Sequence, residues 1–337
     1  MDGHDLTALR TFLERRGVAV VGELIAERLP GGRSNVTYKI SDEQSTWVVR
    51  HPPLAGATPS AHDMVREFTV TQALQNSAVP VARTVALDSE GMVLGVPLSI
   101  VEFVEGRVFR RSADLDALDP RDAESLSESL LRILASLHNV DYRAVGLGEF
   151  GRPDGYLIRQ INRWAGQWGR VKTDDHTEIT DIVAALQERV PTEVDTTLVH
   201  GDFRVDNTIV AGNSSNSVLA VVDWELSTLG DPLSDVALMC AYRARAFDLV
   251  QGYPTAWASP RWPSADALAQ KYSICSGREL RNWDFYLGLA NFKIGVIAAG
   301  IAYRGRLNAA DPAATGTTAA LAAPEFFAAA REALRSK

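Results

Sequence analysis

The sequence predicts a two-lobed α+β protein, with a small strand-rich lobe over residues 1–104 and a larger, mainly helical lobe over residues 105–337. Three observations predict it. Short runs at residues 29–40, 45–50 and 97–106 carry strand-like apolar patterns bounded by turn residues. From residue 122 onward most apolar residues recur at three- and four-residue spacing, the period of a helix. Between the two regimes stands Val104-Glu105-Gly106, which suits a hinge, and clefts between lobes are where small ligands usually bind.

The elements follow in order. Residues 5–16 have helical spacing through Leu6, Leu9, Phe12 and Leu13 and stop at Gly17, a natural C-cap residue. In LPGGRSNVTYKI, residues 29–40, Gly31 and Gly32 mark a turn and the alternation after them a strand. STWVVR at 45–50 is a second strand, residues 63–75 a helix, and PLSIVEFVEG at 97–106 a strand that runs into a glycine. In the larger lobe, residues 122–138 place Leu126, Leu130, Leu134 and Leu137 on one stripe, and 155–168, 178–190, 264–276 and 282–302 read the same way. Two short strand-like pieces, 197–200 and 218–222, interrupt the helices, and each is followed at once by a polar cluster. Residues 309–324 read as a low-complexity connector before a last helix.

Composition narrows the function. The chain has 337 residues, 46% apolar and 23% charged, with a formal charge of −8 and a pI near 5.4. That surface repels phosphate backbones, which argues against nucleic acid as a partner. The two cysteines, Cys240 and Cys275, fall in helical stretches and read as buried thiols rather than a disulfide framework. The leading MDGHDLTALRTFLERRG shows no basic and then apolar segment of a signal peptide. Residues 287–303 come nearest to a membrane span but are broken by Asn291 and Lys293, so they read as a buried core helix. The expectation is a cytoplasmic protein with no membrane partner.

The chemistry lies after the two interrupting strands. In LVHGDFRVDNTIV, residues 198–210, an apolar strand delivers His200-Gly201-Asp202, and Asn207 stands five residues beyond the aspartate. In LAVVDWELSTLGDPLSDVA, residues 219–237, another delivers Asp223, followed by Asp231, Pro232 and Asp235. Phosphoryl transfer needs a carboxylate to accept or orient the acceptor hydroxyl, and Mg²⁺ held against the β- and γ-phosphates. Mg²⁺ prefers hard oxygen ligands, which a carboxylate and an amide oxygen supply. Asp202 and Asn207 on one loop can face a common site that Asp223 closes. Protein kinases space their catalytic-loop Asp and Asn in the same way, with the metal-binding Asp downstream. Asp231 before Pro232 is the pattern of a helix N-cap and first turn. Asp235, one turn into that helix, is expected to brace the catalytic loop, with Arg204 as its partner.

These two segments resemble those of the aminoglycoside phosphotransferase and choline kinase family, and DWELSTLGDPLSD is most similar to the branch related to the kinase-like domain found beside acyl-CoA dehydrogenase domains. The resemblance runs from the GGRSN turn to LANFKIGVIAAGIAYRG. It implies a protein-kinase-like fold, with a small antiparallel-sheet N-lobe, a larger mainly helical C-lobe and ATP in the cleft. It implies Asp202 as catalytic residue with His200 packed beneath it, Arg204 beside it, and Asn207 and Asp223 as Mg²⁺ ligands. In the first lobe, Gly31, Gly32, Ser34 and Asn35 take the place of the phosphate-covering turn, although an ordinary hairpin fits them equally. Arg50 stands where a kinase strand carries its phosphate-pairing lysine, a departure that still permits bidentate phosphate contact. Glu67 is either its ion-pair partner or a solvated surface residue. Glu102, Phe103 and Val104 resemble the segment that meets adenine through backbone groups.

The expected activity is therefore transfer of the ATP γ-phosphate to a small hydroxylated molecule, a metabolite in preference to an aminoglycoside. The alternative is an inactive kinase-like module that binds a nucleotide or metabolite. A protein kinase is disfavoured by the absence of A-P-E and D-F-G runs, and a P-loop enzyme by the absence of G-x-x-x-x-G-K-[ST].

Overall fold

The structure, a computed structural model, describes residues 1–29, 35–53, 63–171, 177–192, 194–212, 217–307 and 315–335. The chain divides into two compact units, Met1–Gly106 together with Leu219–Ser227, and Arg107–Val218 together with Thr228–Lys337. The sequence drew the boundary after residue 104 and placed everything beyond it in the second lobe; instead the segment that carries Asp223 packs with the first unit.

The first unit begins with α1 (Gly3–Arg15), which Asp2 and Asp5 close with a reciprocal capping box. It continues through β1 (Ile25–Arg28), β2 (Val36–Ser41), β3 (Thr46–His51), α2 (Met64–Leu74), β4 (Thr84–Asp88) and β5 (Leu98–Glu102). The five strands form one antiparallel sheet in the order β1-β2-β3-β5-β4. Leu9, Phe12 and Leu13 of α1 pack with Ile40, Trp47, Val49, Leu98 and Ile100 in one apolar core. Since successive strand side chains point to opposite faces, Trp47 and Val49 enter that core and Arg50 faces the other way. β1 and β4, the two edges of the sheet, had no counterpart in the sequence reading.

The second unit holds α3 (Ser112–Asp116), α4 (Pro120–His138), α5 (Tyr156–Val171), α6 (Thr177–Glu188), β6 (Thr197–Val199) and β7 (Thr208–Val210). β8 (Val218–Val221) leads into the segment that belongs with the first unit, and the chain returns through β9 (Thr228–Gly230), α7 (Pro232–Ala241), α8 (Ala246–Gln251), α9 (Ala265–Ser276), α10 (Trp283–Leu307) and α11 (Thr315–Ala333). β6 pairs antiparallel with β9. α10 is long and apolar enough to cross a membrane by length and composition, and 72% of its most apolar window is buried. α11 lies against α10 at two glycines, where a Cβ on Gly288 would meet Leu334 and one on Gly295 would meet Phe327. The expected connector at 309–324 is corrected in part: α11 begins at Thr315 and carries Pro324 inside it. Cys240 is buried as expected, whereas Cys275 is exposed.

Candidate active site

In the second unit, three buried residues of β6 lead to His200, which is fully buried. Gly201 follows with φ 83°, a left-handed conformation in which glycine carries no steric cost. Asp235, in the first turn of α7, accepts the His200 N–H at 2.6 Å and the Gly201 N–H at 2.7 Å. His200 Nδ1 in turn accepts the Asp202 N–H at 3.2 Å. Behind Asp235 lies His138 at 3.3 Å, whose other ring nitrogen meets the Tyr272 hydroxyl at 2.7 Å. Burial pushes the Asp235 carboxyl up, but the neighbouring histidines and amides outweigh it and hold it below the ordinary range. Burial holds the His138 imidazole below its usual value.

Asp202 is held at both carboxylate oxygens. Arg204 Nε donates to Oδ1 at 3.1 Å, Arg204 Nη2 to Oδ2 at 3.0 Å, and Asn207 Nδ2 to Oδ2 at 3.0 Å. Asn207 Nδ2 also donates to the Asp202 carbonyl at 2.8 Å, so its amide oxygen is left for another partner. Burial raises the Asp202 carboxyl, and the Arg204 charge and the hydrogen bonds from Arg204 and Tyr242 pull it below the usual range. Arg204 itself pairs with Asp206 at 2.7 Å and lies over the rings of Tyr242 and Phe247.

In the first unit, Arg50 forms an ion pair with Glu67 of α2 and reaches Asp223 at 3.3 Å. Glu67 is 7% exposed, which excludes the solvated reading, and burial pushes its carboxyl up against the opposing Arg50 charge. Asp223 has φ 67° and ψ 57°, a left-handed conformation found mainly at glycine, asparagine and aspartate. Arg66 of α2 ties the same segment down by donating to the Ser227 carbonyl at 3.0 Å. The Asn35 side chain is 3% exposed, and neither its amide nitrogen nor its oxygen has a partner among the described residues.

The structure thus brings Asp202, His200, Arg204 and Asn207 together in one unit and Arg50, Glu67 and Asp223 in the other. Gly31, Gly32 and Ser34 lie outside the described residues. Asp231 caps α7, accepting the Leu233 N–H at 2.9 Å ahead of Pro232, and burial pushes its carboxyl up to about 6. One reading is corrected. Asp235 braces the loop through backbone amides and His138 rather than through Arg204, because Arg204 is already divided between Asp202 and Asp206. Of the three adenine-facing candidates, Glu102 donates its N–H to the Arg83 carbonyl at 2.8 Å and Phe103 to the Thr46 carbonyl at 3.0 Å. Sequence reasoning missed Asp206, Tyr242, His138 and Lys293, whose ammonium donates to the Gly201 carbonyl at 3.2 Å.

The Arg50 pairings set an expected result. Arg50→Ala raises the KM for ATP and leaves Glu67 as a buried carboxylate without its cation, whereas Arg50→Lys keeps activity with one charge contact in place of the fork. Steady-state kinetics over ATP concentration decides; an unchanged KM in the alanine variant places Arg50 away from the nucleotide.

An antiparallel-sheet unit and a largely helical remainder, with the H-G-D and D-W-E segments at strand ends, define a protein-kinase-like phosphotransferase fold. The family model for the phosphotransferase enzyme family matches residues 25–268, and the chain belongs to that family. A protein of Ralstonia eutropha assigned as an aminoglycoside phosphotransferase is 31% identical with a TM-score of 0.83 over 98% of each chain. Acyl-CoA dehydrogenase family member 10 of Mus musculus is 33% identical over 80% of this chain and 25% of its own length. Human acyl-CoA dehydrogenase family member 11 is 33% identical over 80% of this chain and 35% of its own length. The chain therefore spans about a quarter to a third of these curated relatives. The aminoglycoside phosphotransferase APH(4)-Ia, in a complex with AMP-PNP and hygromycin B, shares the fold at 16% identity, TM-score 0.61, over 97% of this chain and 98% of its own.

Proposed function

We propose that the chain transfers the γ-phosphate of ATP to a hydroxyl of a small metabolite. The observation that carries this reading is the Asp202 carboxylate, kept ionised by Arg204 and Asn207 on a loop whose backbone is fixed from below. In the reaction, the acceptor oxygen forms a bond to the γ-phosphorus, its proton passes to Asp202, and the bond to the β-phosphate oxygen breaks to release ADP. Arg50 pairs with the phosphates, Asn35 donates from the turn, and Val104 N–H meets adenine. His200 sets the register of Asp202, and Arg204 holds its carboxylate in place.

The residues present fit Mg²⁺. In the second unit Asn207 turns its amide nitrogen to Asp202, which leaves a hard amide oxygen of the kind Mg²⁺ takes, and in the first unit Asp223 presents a carboxylate of the same kind. Mg²⁺ takes one or two protein oxygens and completes its shell with phosphates and water. When bound, the ion neutralises charge that develops on the β- and γ-oxygens. The expected result is that EDTA abolishes turnover and weakens ATP binding in titration calorimetry. Equal affinity and turnover with and without EDTA sink the metal-dependent reading.

A metabolite is preferred to an aminoglycoside because the chain is as similar to acyl-CoA dehydrogenase family members 10 and 11, at 33% identity, as to the assigned aminoglycoside phosphotransferase, at 31%. The clamp on both Asp202 oxygens also gives a second reading its support, since a carboxylate so engaged is a weaker base: a nucleotide- or metabolite-binding module without transfer. ATP turnover against a panel of hydroxylated metabolites separates the two.

A further inference from the structure

We propose that Lys293 is a positioning residue for Asp202 that acts through the Gly201 carbonyl; the proposal rests on the phosphotransfer reading above. A lysine inside a long apolar helix is costly unless its charge is satisfied. Lys293 sits on the half-buried face of α10, and its ammonium donates to the Gly201 carbonyl at 3.2 Å. It also stands 5.6 Å from the centroid of the Trp164 ring. Burial lowers its pKa, the Asp202 and Asp235 carboxylates raise it, and Arg163 lowers it again.

The peptide it holds decides where Asp202 points. Gly201, at φ 83°, has more torsional freedom than any other residue type would have. Its own N–H is fixed by Asp235 at 2.7 Å. The next peptide plane, between Gly201 and Asp202, is rigid and is held at both ends: its carbonyl by Lys293 at 3.2 Å and its N–H by His200 Nδ1 at 3.2 Å. Without Lys293 the His200 contact is what remains on that plane among the described residues, and rotation about the glycine torsions shifts the Asp202 carboxylate against its Arg204 and Asn207 clamp. A displacement of about 1 Å at a reacting group costs on the order of 10²-fold in rate. Asp235 and Lys293 thus grip the two sides of one glycine with opposite charges from two different helices.

The test uses the whole chain with Lys293→Met, Lys293→Gln and Lys293→Arg. Methionine keeps most of the side-chain volume and removes the donor. We expect Lys293→Met and Lys293→Gln to lower kcat about 10–10²-fold while the KM for ATP and the melting shift with Mg-ATP stay close to wild type. Lys293→Arg, which can still reach the carbonyl and stack on Trp164, recovers most of kcat. In parallel, hydrogen exchange over residues 198–204 is faster in the Met and Gln variants, with protection elsewhere in the unit retained. Exchange over 198–204 equal to wild type overturns the proposal, and so does a kcat loss that follows a fall in melting temperature and is not recovered by arginine. Wild type that turns over no ATP refutes the phosphotransfer reading instead, and the exchange result then decides Lys293 by itself.

Discussion

Asp202→Asn lowers kcat for phosphotransfer by about 10²–10⁴-fold, the range a positioned base contributes, and leaves Mg-ATP binding nearly intact. Asparagine preserves the volume and one acceptor for Arg204, so the loop keeps its shape while the acceptor proton loses its destination. Asp223→Asn is expected to behave differently: it weakens both nucleotide binding and turnover, because the negative charge proposed to face Mg²⁺ and paired with Arg50 is removed. The binding half is read from the Mg-ATP shift in melting temperature. Slow ATP hydrolysis, with water in place of the hydroxyl, reports the rate half without a known acceptor. If Asp202→Asn loses the thermal shift and Asp223→Asn keeps it, the two roles are exchanged.

The largest expected effect on stability is at Asp235. Asp235→Ala strands the His200 and Gly201 N–H groups in the interior and deprives His138 of its carboxylate. A buried donor left unsatisfied costs about 1–3 kcal/mol, and a buried charged network broken on one side about 3–5 kcal/mol in all. Urea denaturation measures it; a loss under about 1 kcal/mol, the median for an exposed ion pair, shows the network to be incidental. Acid acts on the same contacts. The folded Asp235 carboxyl sits below its ordinary value, so its contribution is complete above that value and is lost as pH falls through the folded one. The folded His138 is also depressed, so protonation favours the unfolded chain as pH falls below the usual histidine range. Both groups lower stability on acidification, and Asp235→Asn flattens that part of the pH profile.

Much of this arrangement was legible in the chain. Helices declared themselves through stripes and caps, as with the Leu126 to Leu137 stripe of α4 and the Asp231 cap before α7, because those signals are local. The edge strands did not. β1 is Ile-Ala-Glu-Arg with Ile25 64% exposed, so no alternation marks it, and it exists because β2 offers it hydrogen bonds. The H-G-D-x-x-x-x-N spacing located the loop proposed to be catalytic, where Asp202 and Asn207 meet through a short 3-10 turn. Asp235 from α7 was expected as a brace of that loop, but His138 from α4 and Lys293 from α10 come from afar and were not. A lysine and an asparagine in an apolar run read as interruptions of a span, when one of them is a hydrogen-bond donor to the catalytic loop. Only the fold reveals such partners, because charge complementarity between helices leaves no periodic trace.

The left-handed backbone at Asp223 bears on how this sequence could drift. Holding a non-glycine residue there costs on the order of 1 kcal/mol, and glycine would relieve it. A domain that had ceased to transfer phosphate could accept that relief at no loss to any other task, since Arg50 would still keep Glu67. On the phosphotransfer reading proposed above, stability and catalysis pull this position in opposite directions. The carboxylate stands where a purely structural chain would gain by shedding it, and a glycine replacement that folds more tightly while losing ATP turnover would lay that trade-off open.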